Sequence, residues 1–159
     1  MLPLFPQELP TSCVAACVRM VLTSLGHRLS ETDIRRRCAH TALGMRLNQV
    51  ASGLEDLPLD VQHQVDWGLD DLADAVRAAA FPIVGIDLRP VDGTFAFHAV
   101  VIVNISTDQV VVHDPLHDEG PRRIGISAFE AAWSAADREA VIIGPGQPVR
   151  AFSDRHGSL

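Results

Sequence analysis

The sequence lacks any excess of basic charge. It carries 13 Lys+Arg against 20 Asp+Glu, a formal net charge of −7. A sequence-independent grip on nucleic acid or on anionic lipid needs basic patches, so that class of partner is excluded. Long hydrophobic runs are missing too. No stretch approaches the ~18 apolar residues of a membrane-spanning helix, so no membrane insertion is expected. The opening residues, Met1 to Pro6, have neither the basic stretch nor the apolar run of a signal peptide. Internal repeats and low-complexity tracts are absent. Cysteine is scarce: Cys13, Cys17 and Cys38 form an odd set that argues against a disulfide framework. These absences predict a soluble protein of a reducing compartment, the cytoplasm, where thiols are catalytic, metal-bound or simply buried.

What is present is a globular composition, 47% hydrophobic and 21% charged, which excludes a disordered chain. A chain of 159 residues suits one domain and can fold away roughly 70% of its unfolded surface without staples. The breakers between Gly144 and Pro148, followed by a mostly polar end from Phe152 to Leu159, predict a domain over 1–144 and a loosely ordered tail over 145–159, with the last strand ending near Ile143.

The first half reads as helices. Pro10-Thr11-Ser12 is a helix-start signal, because a proline precedes two good N-cap residues. Val14 to Leu25 then carries apolar residues almost all round, with Arg19 one of few interruptions, so this helix is expected to be central and buried. Gly26 suits its C-terminal stop. Ser30 with Asp33 approximates a capping box for a second helix to about Cys38. Further helices are expected over Leu47–Leu57 and over Leu69–Ala80, the latter with acids in its first turn. The second half reads as strands: Ile83–Leu88, Phe97–Asn104, Gln109–Asp114 and Glu139–Ile143, with a short helix over Ala128–Trp133 capped by Ser127. Ser106-Thr107-Asp108 is turn-like and predicts a hairpin. Helices followed by a mainly antiparallel sheet make an α+β fold.

Cys13 is the first candidate for chemistry. It falls at the start of the buried helix, where exposed N–H groups favour a thiolate; as a small core residue it would be inert. The hairpin supplies a second candidate pair. With the turn centred near Ser106, His98 and Asp114 face each other at its open end, with Cβ atoms ~4.5–5.5 Å apart. A carboxylate at that spacing reaches one imidazole nitrogen and leaves the other free to act as a base. Gln7, in a proline-flanked loop six residues before Cys13, could aim its amide NH₂ at a developing oxyanion beside the Cys13 backbone N–H.

The ordered set Gln7-x5-Cys13-x3-Cys17, His98 opening an apolar strand, Asp114-Pro115 and Phe129-x3-Trp133 resembles the papain-like bacteriocin-processing cysteine peptidases, the double-glycine leader peptidases and their broader relatives. The resemblance spans about Gln7 to Ile143. It implies a papain-like fold with Cys13 as nucleophile, His98 as general base, Asp114 orienting His98 and Gln7 lining the oxyanion hole, a peptide or protein as substrate, and a packing role for Cys17. No cofactor or metal is implied. Leader peptidases usually carry Asp-Cys-Gly at the nucleophile where this chain has Ser12-Cys13-Val14, so the catalytic set carries over better than the double-glycine substrate.

Two other readings compete. A papain-like domain can lose turnover and persist as a peptide-binding module. Alternatively, Cys13 and Cys17 on one helix face, with His113 and His117, could hold zinc, although the tight Cys-x2-Cys spacing is missing. His27, His40, His63 and His156 read as solvated or locally bonded. Trp67 and Trp133 read as core or groove wall, and Arg35-Arg36-Arg37 as the exposed side of a short helix.

Overall fold

The computed structural model describes residues 1–146. A central helix α1 (Cys13–Ser24) is followed by α2 (Glu31–Arg37), a 3₁₀ turn (Leu47–Gln49) and the single turn α3 (Val50–Gly53). Then come strand β1 (Leu59–Gln64), α4 (Leu69–Arg77), β2 (Ile83–Asp87), α5 (Arg89–Asp92), β3 (Phe97–Ile105), β4 (Gln109–His113), β5 (Arg122–Gly125), α6 (Ile126–Ser134) and β6 (Ala140–Pro145). The strands form one antiparallel sheet in the order β1-β6-β2-β3-β4-β5.

Both faces of the sheet are covered, which explains why its central strands read as near-continuous apolar runs. On one face α1, α2 and α3 pack against Ile83, Ala99, Val101, Val141 and Ile143. On the other, Leu72 of α4 and Phe129 and Trp133 of α6 pack against Val84, Ile86, Val100 and Ile102. Phe129 and Trp133 stack with ring centroids 5.7 Å apart, and the Trp133 indole donates to the Glu139 carbonyl at 2.9 Å. These two aromatics therefore belong to the core and not to a groove wall.

α1 is buried almost all round, from Val14 through Leu22. It ends as its sequence predicts. Gly26 takes φ +88°, with its N–H on the Thr23 carbonyl and the His27 N–H on the Leu22 carbonyl, a Schellman stop. α2 is capped by Ser30, whose hydroxyl accepts the Asp33 N–H at 3.0 Å.

Four local expectations need correction. The helix expected over Leu47–Leu57 breaks into a 3₁₀ turn and one α-turn. Gly53 there lies against the end of α2, where a Cβ would stand 2.4 Å from Cys38 Sγ. The Leu69–Ala80 helix stops at Arg77, because Ala79 adopts φ +63°. Ser127 does not cap α6; it lies inside the helix, and Gly125 occupies the cap position without a side-chain bond. β6 passes Ile143 to Pro145, and Gly146 still donates to the Pro58 carbonyl at 2.9 Å. The tail expected beyond that point falls, from residue 147 on, outside the described residues. Among the described residues no helix is long and apolar enough to cross a membrane.

Candidate active site

Cys13 is the first residue of α1. Ser12 stands at the N-cap position but does not cap; its hydroxyl accepts the Leu9 N–H at 2.9 Å and donates to the Leu9 carbonyl at 3.1 Å, closing the preceding turn. An N-cap bond is worth about 1 kcal/mol, whereas each fully buried aliphatic side chain contributes ~1.5–3 kcal/mol. Packing of α1 against the sheet therefore fixes the helix start, and its first N–H groups stay open to a ligand or thiolate. Cys13 is partly exposed while Cys17, one turn on, is 0% exposed.

His98 is the second residue of β3, and Asp114 follows the end of β4. Their side chains meet, His98 Nε2 to Asp114 Oδ1 at 2.6 Å. The route differs from the expected one. Val101 pairs with His113, where a turn centred on Ser106 would pair it with Val111, so the register is offset by two residues. Nearer the turn Asn104 pairs with Val111 and Ile105 with Val110, and a bulge at Val103 absorbs one residue. That bulge restores the parity that lets His98 and Asp114 meet; without it, a one-residue slip would send them to opposite faces. The pair is diagonal across the hairpin end and not directly opposed.

Cys13 and His98 line the same cleft, and each shifts the other's titration toward the charged form. Asp114 occupies Nε2, which leaves Nδ1 as the imidazole nitrogen available to the thiol. Burial opposes the thiolate, but His98 and the N–H groups of Ala99 and Val14 outweigh it, and the thiol titrates below its ordinary 9.0. For His98 burial likewise opposes the charge, yet Asp114 and Cys13 raise it to about 9. Asp114 is 1% exposed. Against that burial, His98, the Leu116 N–H and Arg122 hold its carboxyl down at about 2. All three shifts run toward the charged form of their group: thiolate, imidazolium and carboxylate.

Gln7 lines the same cleft. Its loop is pinned from several sides: the Gln7 N–H donates to the Pro115 carbonyl at 2.9 Å, His113 Nδ1 to the Pro3 carbonyl at 3.1 Å, and the Glu8 N–H to the buried Glu31 carboxylate at 3.0 Å. The amide does not point as the sequence reading has it. Nε2 donates to the Leu9 and Pro10 carbonyls at 2.8 and 3.1 Å, and Oε1 is buried without a partner among the described residues. A side-chain rotation is needed before that NH₂ can meet an oxyanion.

The cleft encloses about 720 Å³. Gly44 closes one wall; at φ +103° it lies so near Thr11 that a Cβ would stand 3.3 Å from the Thr11 carbonyl oxygen. Three large apolar side chains stand open to solvent along the cleft: Leu43 (97% exposed), Phe97 (68%) and Leu116 (58%). An apolar rim around a polar centre is what a peptide groove needs.

The alternative zinc set does not assemble. Cys17 is buried and its thiol is pushed well up by that burial, His113 is bonded to Pro3, and His117 lies 3.7 Å from Asp114. Among the described residues no group of three His, Cys, Asp or Glu side chains is placed to hold a metal. The sequence reading missed Arg122, whose Nη1 donates to Asp114 Oδ2 at 3.0 Å. It opens the four-residue strand β5, in a charged stretch with no periodicity to mark it.

A buried helix whose first residue lies at the end of an interior strand of an antiparallel sheet, in an α+β chain of this topology, defines the papain-like fold. The peptidase C39 family model matches residues 2–136, and the chain belongs to the peptidase C39 family. Among solved structures it is similar to a protein described as a C39-like peptidase from Bacillus anthracis (TM-score 0.76, 14% identity, covering 92% of this chain and 96% of that one). It is also similar to the peptidase domain of Streptococcus ComA, a bi-functional ABC transporter involved in quorum sensing (TM-score 0.73, 18% identity, 91% and 99% covered). A third is a double glycine motif protease from an AMS/PCAT transporter, solved with its leader peptide (TM-score 0.71, 17% identity, 91% and 92% covered). No curated protein matches the chain.

Proposed function

We propose that this protein is a cysteine peptidase whose domain spans residues 1–144, and that Cys13, His98, Asp114 and Gln7 carry the reaction. The Cys13 thiolate attacks the scissile carbonyl carbon. Its electrons move onto oxygen, which is stabilised by the N–H groups at the start of α1 and by the Gln7 amide after it turns from Leu9 and Pro10. The imidazolium of His98 gives its Nδ1 proton to the leaving amine. Neutral His98 then takes a proton from water, and the hydroxide opens the thioester. Asp114 on Nε2 holds the tautomer and the ring. The observation that carries this reading is Cys13 beside His98 in one apolar-rimmed cleft, with His98 Nε2 bonded to the buried Asp114 at 2.6 Å.

The substrate in this reading is a peptide or protein segment, consistent with the leader peptide bound by the transporter protease of similar fold. The compartment is a reducing one, the cytoplasm, since a thiol nucleophile must stay reduced. Cleavage of a peptide library by the full chain, followed by mass spectrometry, tests it. Defined cuts that vanish in Cys13→Ala support the proposal; no cut with the native chain overturns it. One observation favours a non-cleaving peptide-binding module, namely the inward-turned Gln7 amide. Retention of uncut library peptides by the native chain would be that reading's signature.

A further inference from the structure

We propose that Arg122 is a positioning residue for this site: one guanidinium nitrogen fixes the Asp114 carboxylate behind His98 while the other holds the segment that forms the cleft rim. The inference rests on the peptidase reading above. Arg122 opens β5 and pairs with Val112 of β4, two residues before Asp114. Nη1 donates to Asp114 Oδ2 at 3.0 Å and Nη2 to Asp92 Oδ2 at 3.1 Å.

The need for it follows from counting acceptors on a buried carboxylate. Asp114 Oδ1 is filled by His98 Nε2 and by the Leu116 N–H at 2.9 Å. Oδ2 has Arg122 as its hydrogen-bond donor, with His117 Nε2 lying 3.7 Å away. A buried charge without its partner is costly, and a carboxylate released at Oδ2 can rotate and loosen its grip on His98. The second arm reaches function by a different path. Asp92 ends α5, and its Oδ1 accepts the Thr94 N–H at 3.0 Å, closing the turn at Gly93. Thr94, Ala96 and Phe97 then line the cleft. One side chain thus joins the carboxylate to the substrate-facing rim. Lysine, a single point donor, cannot span both carboxylates.

The charged and titratable groups around Asp114 are His98 on β3, Cys13 and Cys17 on α1, His117 after β4, Arg122 on β5 and, through Arg122, Asp92 on α5. Removing the Arg122 charge takes a cation from this cluster, so both the thiol and the imidazolium hold their protons to higher pH.

The test uses the full chain and iodoacetamide as the probe of Cys13, with the alkylation rate followed against pH, and turnover of a peptide drawn from the cleavage library. In Arg122→Met the alkylation limb moves up by about half a pH unit or more, and kcat falls ~10-fold or more, as for partners that hold metal-ligating side chains. In Arg122→Lys the charge remains, so the limb stays within about 0.2 units while KM rises as the rim loses its tie. Arg122→Gln serves if the Met variant does not fold. An unmoved limb in a folded neutral variant, or equal effects of Met and Lys, overturns the proposal. A native chain whose Cys13 shows no thiolate limb below the ordinary thiol range instead overturns the peptidase reading, so the two failures are distinct.

Discussion

Cys13 and Cys17 stand one turn apart on the same helix and carry the same thiol, yet the structure treats them in opposite ways. Cys13 sits at the first turn, where, against its burial, His98 and the N–H groups of Ala99 and Val14 bring it below its ordinary value. Cys17 is sealed in the core, and burial, with Cys13 and Asp114 repelling a second negative charge, pushes it well up. Residue type offers the chemistry, and four residues of helix decide whether it is available. The same contrast holds for the histidines of the hairpin. His98 is raised to about 9 against its burial by Asp114 and Cys13, whereas burial lowers His113, whose ring bonds only the Pro3 carbonyl among the described residues.

Substitution sharpens that comparison most at its reactive end. Cys13→Ala is expected to abolish peptide cleavage while Cys17→Ala retains it, measured as cleavage rate on one library-derived peptide. Equal loss in both folded variants would break the contrast. Gln7→Ala should lower turnover by ~10²–10³-fold, as removal of one oxyanion donor typically does. A loss below about threefold would mean that the amide stays on the Leu9 and Pro10 carbonyls throughout the reaction. The smallest effect belongs to the sealed thiol. Cys17→Ala removes a buried sulfur and should cost on the order of 1 kcal/mol of stability, read from denaturant unfolding, with no change in the pH dependence of cleavage.

The parts of the molecule that were legible in the sequence are those whose signals are local. α1 declares itself through an apolar surface on every side and a glycine stop, and both features are realised in the Val14–Leu22 burial and the Gly26 turn. β2, β3 and β4 show as apolar runs because both sheet faces are covered. Edge strands escaped for the converse reason. β1 offers only Leu59 and Val61 on its covered side, and β5 is four residues long with two arginines. The meeting of His98 with Asp114 was anticipated, but the path to it was not, because a bulge such as that at Val103 leaves no mark in a run of Val and Ile. The orientation of Gln7 and the bridge made by Arg122 depend on where loop carbonyls and strand ends come to rest, which no spacing in the chain encodes.

The central claim is that His98, held by Asp114, makes Cys13 a thiolate at a pH where an ordinary cysteine is protonated. The direct measurement is the rate of Cys13 alkylation by iodoacetamide across pH 5–10, compared between the native chain and His98→Ala. The account predicts that the native thiol titrates below its ordinary 9.0 while His98 stays protonated to about pH 9, and that removing the imidazole moves the thiolate limb upward. Coincident titration curves for the two proteins, or a native Cys13 that does not react, would contradict it.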